Sequence, residues 1–169
     1  MTRVARSMLI GIALVIPTVA SAADPVVSEA VVNAPVTAVW NAWTVAADMQ
    51  SWMVANADID LRIGGLWRTS YTRDADLAGD TAIHHRILAF DPGRMLAFQT
   101  VKTPKSFPFP GIVNTWTVVY LEPMSASQTK VTVRMIGYGD DAESLKMRAF
   151  FEKGNKATLD ALVKRFSSR

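Results

Sequence analysis

Two spacings of apolar residues run along this chain. One repeats every second residue and marks strands; the other repeats every third or fourth and marks helices. Val26 to Asn33 is β-branched and extended in character and predicts a first strand. Pro35 stands where a helix begins, because it lacks the amide proton that a first helical turn leaves unbonded. Val36, Val39, Trp40 and Trp43 follow it at helical spacing. A second short helix is expected over Asp48 to Val54, carrying Trp52.

From Ala57 to Tyr138 the pattern becomes that of strands between turns. Ile59, Leu61 and Ile63 alternate up to Gly64-Gly65. Leu66 to Arg73 alternates next, with Trp67, Thr69 and Tyr71 on one face. Thr81 to Phe90 is stopped by the turn residues Asp91-Pro92-Gly93. Met95 to Val101, a proline-rich connection from Thr103 to Gly111, Val113 to Leu121 and Thr129 to Tyr138 complete the run. In the last strand Val131, Val133 and Met135 face one way and Lys130, Thr132 and Arg134 the other, as in a sheet with one buried and one wet face.

Asp140 or Asp141 then opens a terminal helix, with Glu143 three residues after Asp140 as a capping-box partner. Met147, Phe151, Gly154, Thr158, Ala161 and Leu162 form one stripe of it; lysines and Asp160 form the opposite one. An apolar sheet face and an apolar helix stripe must bury each other. The expected fold is therefore α+β, a curved antiparallel sheet wrapped around a long C-terminal helix, with two short helices after the first strand.

The N-terminus changes where this domain is expected to work. Arg3 and Arg6, an apolar run from Met8 to Val19 broken by Pro17, and Ala20-Ser21-Ala22 are the three parts of a secretory signal. Cleavage is expected after Ala22, giving a signal peptide at 1–22, a single domain at 23–169 and a periplasmic or secreted product. The run is too short to anchor the mature chain in a membrane. The whole-chain pI near 9.4 overstates the mature basicity, because two of the basic residues leave with the signal. The rest are scattered among acids, which argues against nucleic acid as a partner. With no cysteine, neither disulfides nor thiolate zinc sites contribute.

Several local motifs resemble those of the SRPBCC superfamily, which includes START lipid-transfer domains and polyketide cyclases. The nearest branch is the heat-shock-protein-90 ATPase activator-like proteins. The resemblance rests on Asn33-Ala34-Pro35 with Val39 to Trp43, on Asp48 to Trp52, and most specifically on Asp60 to Arg68 around Gly64-Gly65. It continues through Ile87 to Phe98, Leu121-Glu122-Pro123, Thr129 to Val133 and Leu159 to Leu162, covering almost the whole mature chain. It implies a helix-grip fold with an apolar cavity between sheet and terminal helix. It does not imply one activity, because the superfamily holds carriers, enzymes and regulators.

Such a cavity is the expected ligand site. Its candidate wall is Trp67, Thr69 and Tyr71 from one strand, Phe98, Thr117 and Met135 from others, and Met147 and Phe151 from the helix. These side chains serve equally as core filling. Gly154 costs a helix about 1 kcal/mol relative to alanine, so it marks either space or a close approach to a strand. Phe107 and Phe109, between prolines, either close the mouth or lie flat on the sheet edge. His84 and His85 point to opposite faces of a strand. One of them facing the cavity would supply an acid or base; a metal centre lacks further ligands, and no cofactor is implied. The leading expectation is a carrier for a small hydrophobic molecule, whether lipid, aromatic or polyketide-like. The alternatives are a cyclase, dehydratase or hydrolase using that histidine, and a protein-interaction or chaperone-regulator module.

Overall fold

The computed structural model describes residues 23–167, so the expected signal at 1–22 lies outside the described residues. The chain order is β1 (Val26–Val32), α1 (Val36–Thr44), α2 (Ala46–Gln50), β2 (Asn56–Ile59), β3 (Leu66–Ser70), β4 (Ile83–Asp91), β5 (Met95–Lys102), β6 (Trp116–Ser125), β7 (Gln128–Ile136) and α3 (Ala142–Ser167). A 3-10 turn at Pro110–Asn114 precedes β6. The strands form one antiparallel sheet in the order β1-β7-β6-β5-β4-β3-β2. The fold is α+β, with the curved sheet gripping α3 and α1 and α2 covering one end.

The alternation read in β7 holds: Val131, Val133 and Met135 are buried while Lys130, Thr132 and Arg134 are not. Their row meets α1 through Val39, Ala42 and Trp43, and the C-terminal half of α3 through Leu159, Leu162 and Phe166. A smaller cluster gathers Val26, Ile112, Met135, Tyr138 and Met147, with Phe107, Phe109 and Phe151 against it. Thus α3 rests on the molecule near both ends. At 1.5 Å per residue its 26 residues reach about 39 Å.

Several boundaries differ from the sequence reading, each for a local reason. β2 stops at Ile59, and Ile63 is exposed, because the next residues fold into a turn. There the Arg62 and Gly65 amides donate to Asp60 O and Arg62 O, and the Gly64 amide reaches Ile87 O. Gly64 has φ of 79°, which favours glycine. A Cβ on Gly65 would lie 2.1 Å from Asp60 O, so the turn admits no side chain there. β3 ends at Ser70, whose hydroxyl accepts the Thr72 amide, and the chain leaves the sheet before Tyr71. α2 starts at Ala46 and ends at Gln50, leaving Trp52 in the following turn, edge-on to Trp43 at 5.3 Å. Val113 belongs to the 3-10 turn rather than to β6.

The helix cap is Asp141 rather than Asp140. Its carboxylate accepts the amides of Glu143 and Ser144 and the Ser144 hydroxyl. Those bonds, the Ser144 hydroxyl first, hold its pKa below the usual aspartate value. Among the described residues no helix is long and apolar enough to cross a membrane.

Gly65→Ala is expected to destabilise the domain by about 2 kcal/mol or more, as a backbone clash must be relieved. Leu162→Ala, at a position with no exposed surface, is expected to cost about 2–5 kcal/mol. Urea unfolding of the two variants checks both values.

Candidate functional site

Strand register builds one wall of a hollow. Trp67 lies opposite His85, and His85 opposite Thr100. One row further along, Ile87, Phe98, Thr117 and Met135 stand in line across four strands. Both rows are on the concave face. An irregularity in the β4–β5 register falls between His84 and His85, with the unpaired residue, Val101, on β5, so β4 keeps its alternation there. His85 shares the inward parity of Ile83 and Ile87 and lines the hollow, while His84 is tied through Nε2 to Leu77 O at 2.8 Å.

The opposite wall is the middle of α3, where Phe151, Gly154, Asn155 and Thr158 face the sheet. Nothing lies within 4 Å of the position a Cβ on Gly154 would take. The close-approach reading of that glycine therefore gives way to the reading of space. Between the walls is a cavity of about 520 Å³, within the range typical of small-molecule pockets. Its lining residues with the most exposed surface are Tyr71, Ser106, Pro108 and Phe150, which places the mouth at the connection between β5 and β6.

That connection folds on to α3 rather than on to the sheet edge. Phe107 meets Phe109, Phe150 and Phe151 with ring centroids 6.1 to 6.2 Å apart. Phe109 lies 5.2 Å from Phe150. Such aromatic pairs are worth about 0.5–1.5 kcal/mol each beyond the area they bury. The four phenylalanines hold the connection beside the mouth.

Eight of the ten sequence candidates line the cavity. Trp67, Thr69, Phe98, Thr117, Met135 and Phe151 form its body, and Tyr71 and Phe107 its rim. Tyr71 does so from beyond the strand end, with 75% of its surface exposed, not from the inward strand position expected of it. Phe109 and Met147 sit outside the lining, in the smaller apolar cluster. Sequence reasoning missed Trp43, Thr100, Phe150 and Asn155. It also left His84 and His85 unresolved, although Ile83 and Ile87 share the parity of His85 and give the inward face of β4.

The site's electrostatics follow from this wall. Among the described residues none that lines the cavity is Asp, Glu, Lys or Arg. His85 is packed against Trp67 at 4.9 Å and Phe98 at 5.0 Å, with Nδ1 3.1 Å from Thr100 Oγ1. The part of its surface left open belongs to the cavity wall. Burial first, and the charge of neighbouring His84 second, push its imidazole down to about 4. The Trp67 indole N–H is satisfied by Met49 Sδ at 3.0 Å. By contrast, Trp43 Nε1 and Asn155 Nδ2 are buried with no hydrogen-bond partner among the described residues, at a cost of about 1–3 kcal/mol each. No group of three or more metal-ligating side chains is present among the described residues.

The chain from residue 33 to 167 matches the family described as Activator of Hsp90 ATPase homolog 1-like protein. Comparison with curated proteins gives no match. Among solved structures, a protein from Mesorhizobium loti superposes with a TM-score of 0.64 at 18% identity, covering 83% of this chain and 94% of that one. The Aha1 dimer of Colwellia psychrerythraea gives 0.65 at 12% identity, covering 84% and 95%. An HSP90 activator from Plasmodium falciparum gives 0.53 at 13%, covering 70% and 76%. These likenesses concern the fold.

The depressed histidine sets a pH dependence of stability. Between pH 6.5, where a histidine in the unfolded chain titrates, and the folded value near 4, only the unfolded state takes up the proton. Unfolding is thus favoured as pH falls through that window, and stability is recovered as it rises. The carboxylates that fold-specific bonds hold low, Glu29 and Asp141, start from 4.5 and 3.8, so their effect falls mainly below pH 5. Urea unfolding at pH 7 and pH 5 is expected to differ by about 2 kcal/mol more in the wild type than in His85→Phe.

Proposed function

This chain belongs to the family of Activator of Hsp90 ATPase homolog 1-like proteins, within the SRPBCC superfamily, and from the hollow in its fold we propose that it is an exported carrier for a small hydrophobic molecule. The observation that carries the proposal is the uncharged, largely apolar cavity of about 520 Å³ between α3 and the sheet. A filled core would have been more stable. Gly154 in particular keeps open a volume that alanine or leucine would enter, at the expense of helix propensity. Export and a periplasmic location are supported by Arg3, Arg6, the apolar run to Val19 and Ala20-Ser21-Ala22.

An enzyme acting on the same ligand would use His85, the imidazole in the lining. Its conjugate acid near 4 makes it a weak base at pH 7, and its neighbour in hydrogen-bond reach is the Thr100 hydroxyl rather than a carboxylate. The observations favour holding over converting. A chaperone-regulating role on a cytosolic partner fits poorly with an exported chain.

The test uses protein purified from its own host, examined by native mass spectrometry and then stripped and titrated with the neutral fluorophore N-phenyl-1-naphthylamine. A small-molecule adduct and saturable fluorescence are expected in the wild type. In Gly154→Leu both are expected to vanish while the melting temperature holds or rises. Empty protein with no fluorophore binding, or equal binding by wild type and Gly154→Leu, would sink the carrier reading. Recovery of unprocessed chain from the cytosol would sink export.

A further inference from the structure

The wall of the cavity also restricts the chemistry of its occupant. A buried ion needs a counter-charge or several aligned dipoles. The lining offers no fixed positive charge to a carboxylate and no carboxylate to an ammonium. His85 does not fill the gap, since its imidazole is neutral at physiological pH.

What the lining offers instead is neutral polarity at one place. His85 Nδ1 is engaged with Thr100 Oγ1 at 3.1 Å, and Nε2 has no hydrogen-bond partner among the described residues. The Thr100 hydroxyl can donate or accept. The imidazole is therefore free to adopt either tautomer and to present Nε2 as donor or acceptor. Trp67 and Phe98 flank the same ring at 4.9 and 5.0 Å, and Phe151 faces them from α3. A flat body seated among these rings brings its polar edge to Nε2.

We propose that the occupant is an uncharged, flat aromatic molecule carrying a carbonyl or hydroxyl group, its rings held among Trp67, Phe98 and Phe151 and its polar group read by His85 with Thr100 behind it. This assignment rests on the carrier reading above. It excludes fatty acids and other carboxylates as preferred ligands and makes His85 a specificity residue.

A matched phenanthrene series separates the two readings: the hydrocarbon, 9-phenanthrol, 9-acetylphenanthrene and phenanthrene-9-carboxylate, each titrated at pH 7 by quenching of tryptophan fluorescence. The ketone and the phenol are expected to bind about tenfold tighter than the hydrocarbon. The carboxylate is expected to bind at least about 100-fold more weakly than the ketone. In His85→Phe the phenol and ketone are expected to lose that tenfold preference over the hydrocarbon. Thr100→Val, which keeps the side-chain shape, is expected to act in the same direction and carries the test if His85→Phe does not fold. A carboxylate that binds as tightly as the ketone, or variants that weaken hydrocarbon and phenol equally, overturns the assignment and leaves the carrier reading standing. Binding of none of the four overturns the assignment, and failure to bind N-phenyl-1-naphthylamine as well overturns both.

Discussion

A straight helix cannot follow a curved sheet along its whole length, and the rest of the molecule is arranged around that mismatch. α3 is anchored through Met147 towards its N-terminus and through Leu159, Leu162 and Phe166 towards its C-terminus. Between those anchors the sheet curves away. Phe151, Gly154, Asn155 and Thr158 are left facing a hollow instead of a strand. The two apolar clusters stand on either side of it. The cavity is thus a product of stiffness against curvature, and the small Gly154 keeps it from being closed from the helix side.

How much of this was legible in the chain depended on how many neighbours each residue needed to be understood. β7 and the apolar stripe of α3 were readable because alternation and helical spacing are local patterns. β2 and β3 were read too long because alternation alone does not mark where a ladder ends. The hydrogen bonds among Asp60, Arg62 and Gly65, and the Ser70 hydroxyl, end those strands. The sequence offered both Asp140, with Glu143 in capping-box register, and Asp141; the bonds from Glu143 and Ser144 select Asp141. Within the site, Trp67, Thr69 and Phe98 followed from strand parity. Asn155 and Thr100 did not, since a polar residue on an inward face is indistinguishable in sequence from one turned to solvent. His85 was decidable from Ile83 and Ile87, whose parity it shares.

The fold alone does not choose among carrier, enzyme and regulator, and identities of 12 to 18% to the structures compared carry no more than fold. What distinguishes this chain is the chemistry of its own wall. Here the polar atoms are neutral, the one imidazole is held uncharged by burial, and the mouth is bordered by phenylalanine rings. A catalytic cavity is ordinarily marked by groups of opposed protonation held close together. The carrier proposal rests on that neutral lining.

The hollow also has a volumetric consequence. An unfolded chain retains no internal void, so hydrostatic pressure acts on this molecule through the space beneath α3 and favours the expanded state. An occupant would remove much of that compressible volume while adding its binding energy to the native state. The loaded and empty forms should therefore differ more under compression than on heating, with the empty form the softer of the two.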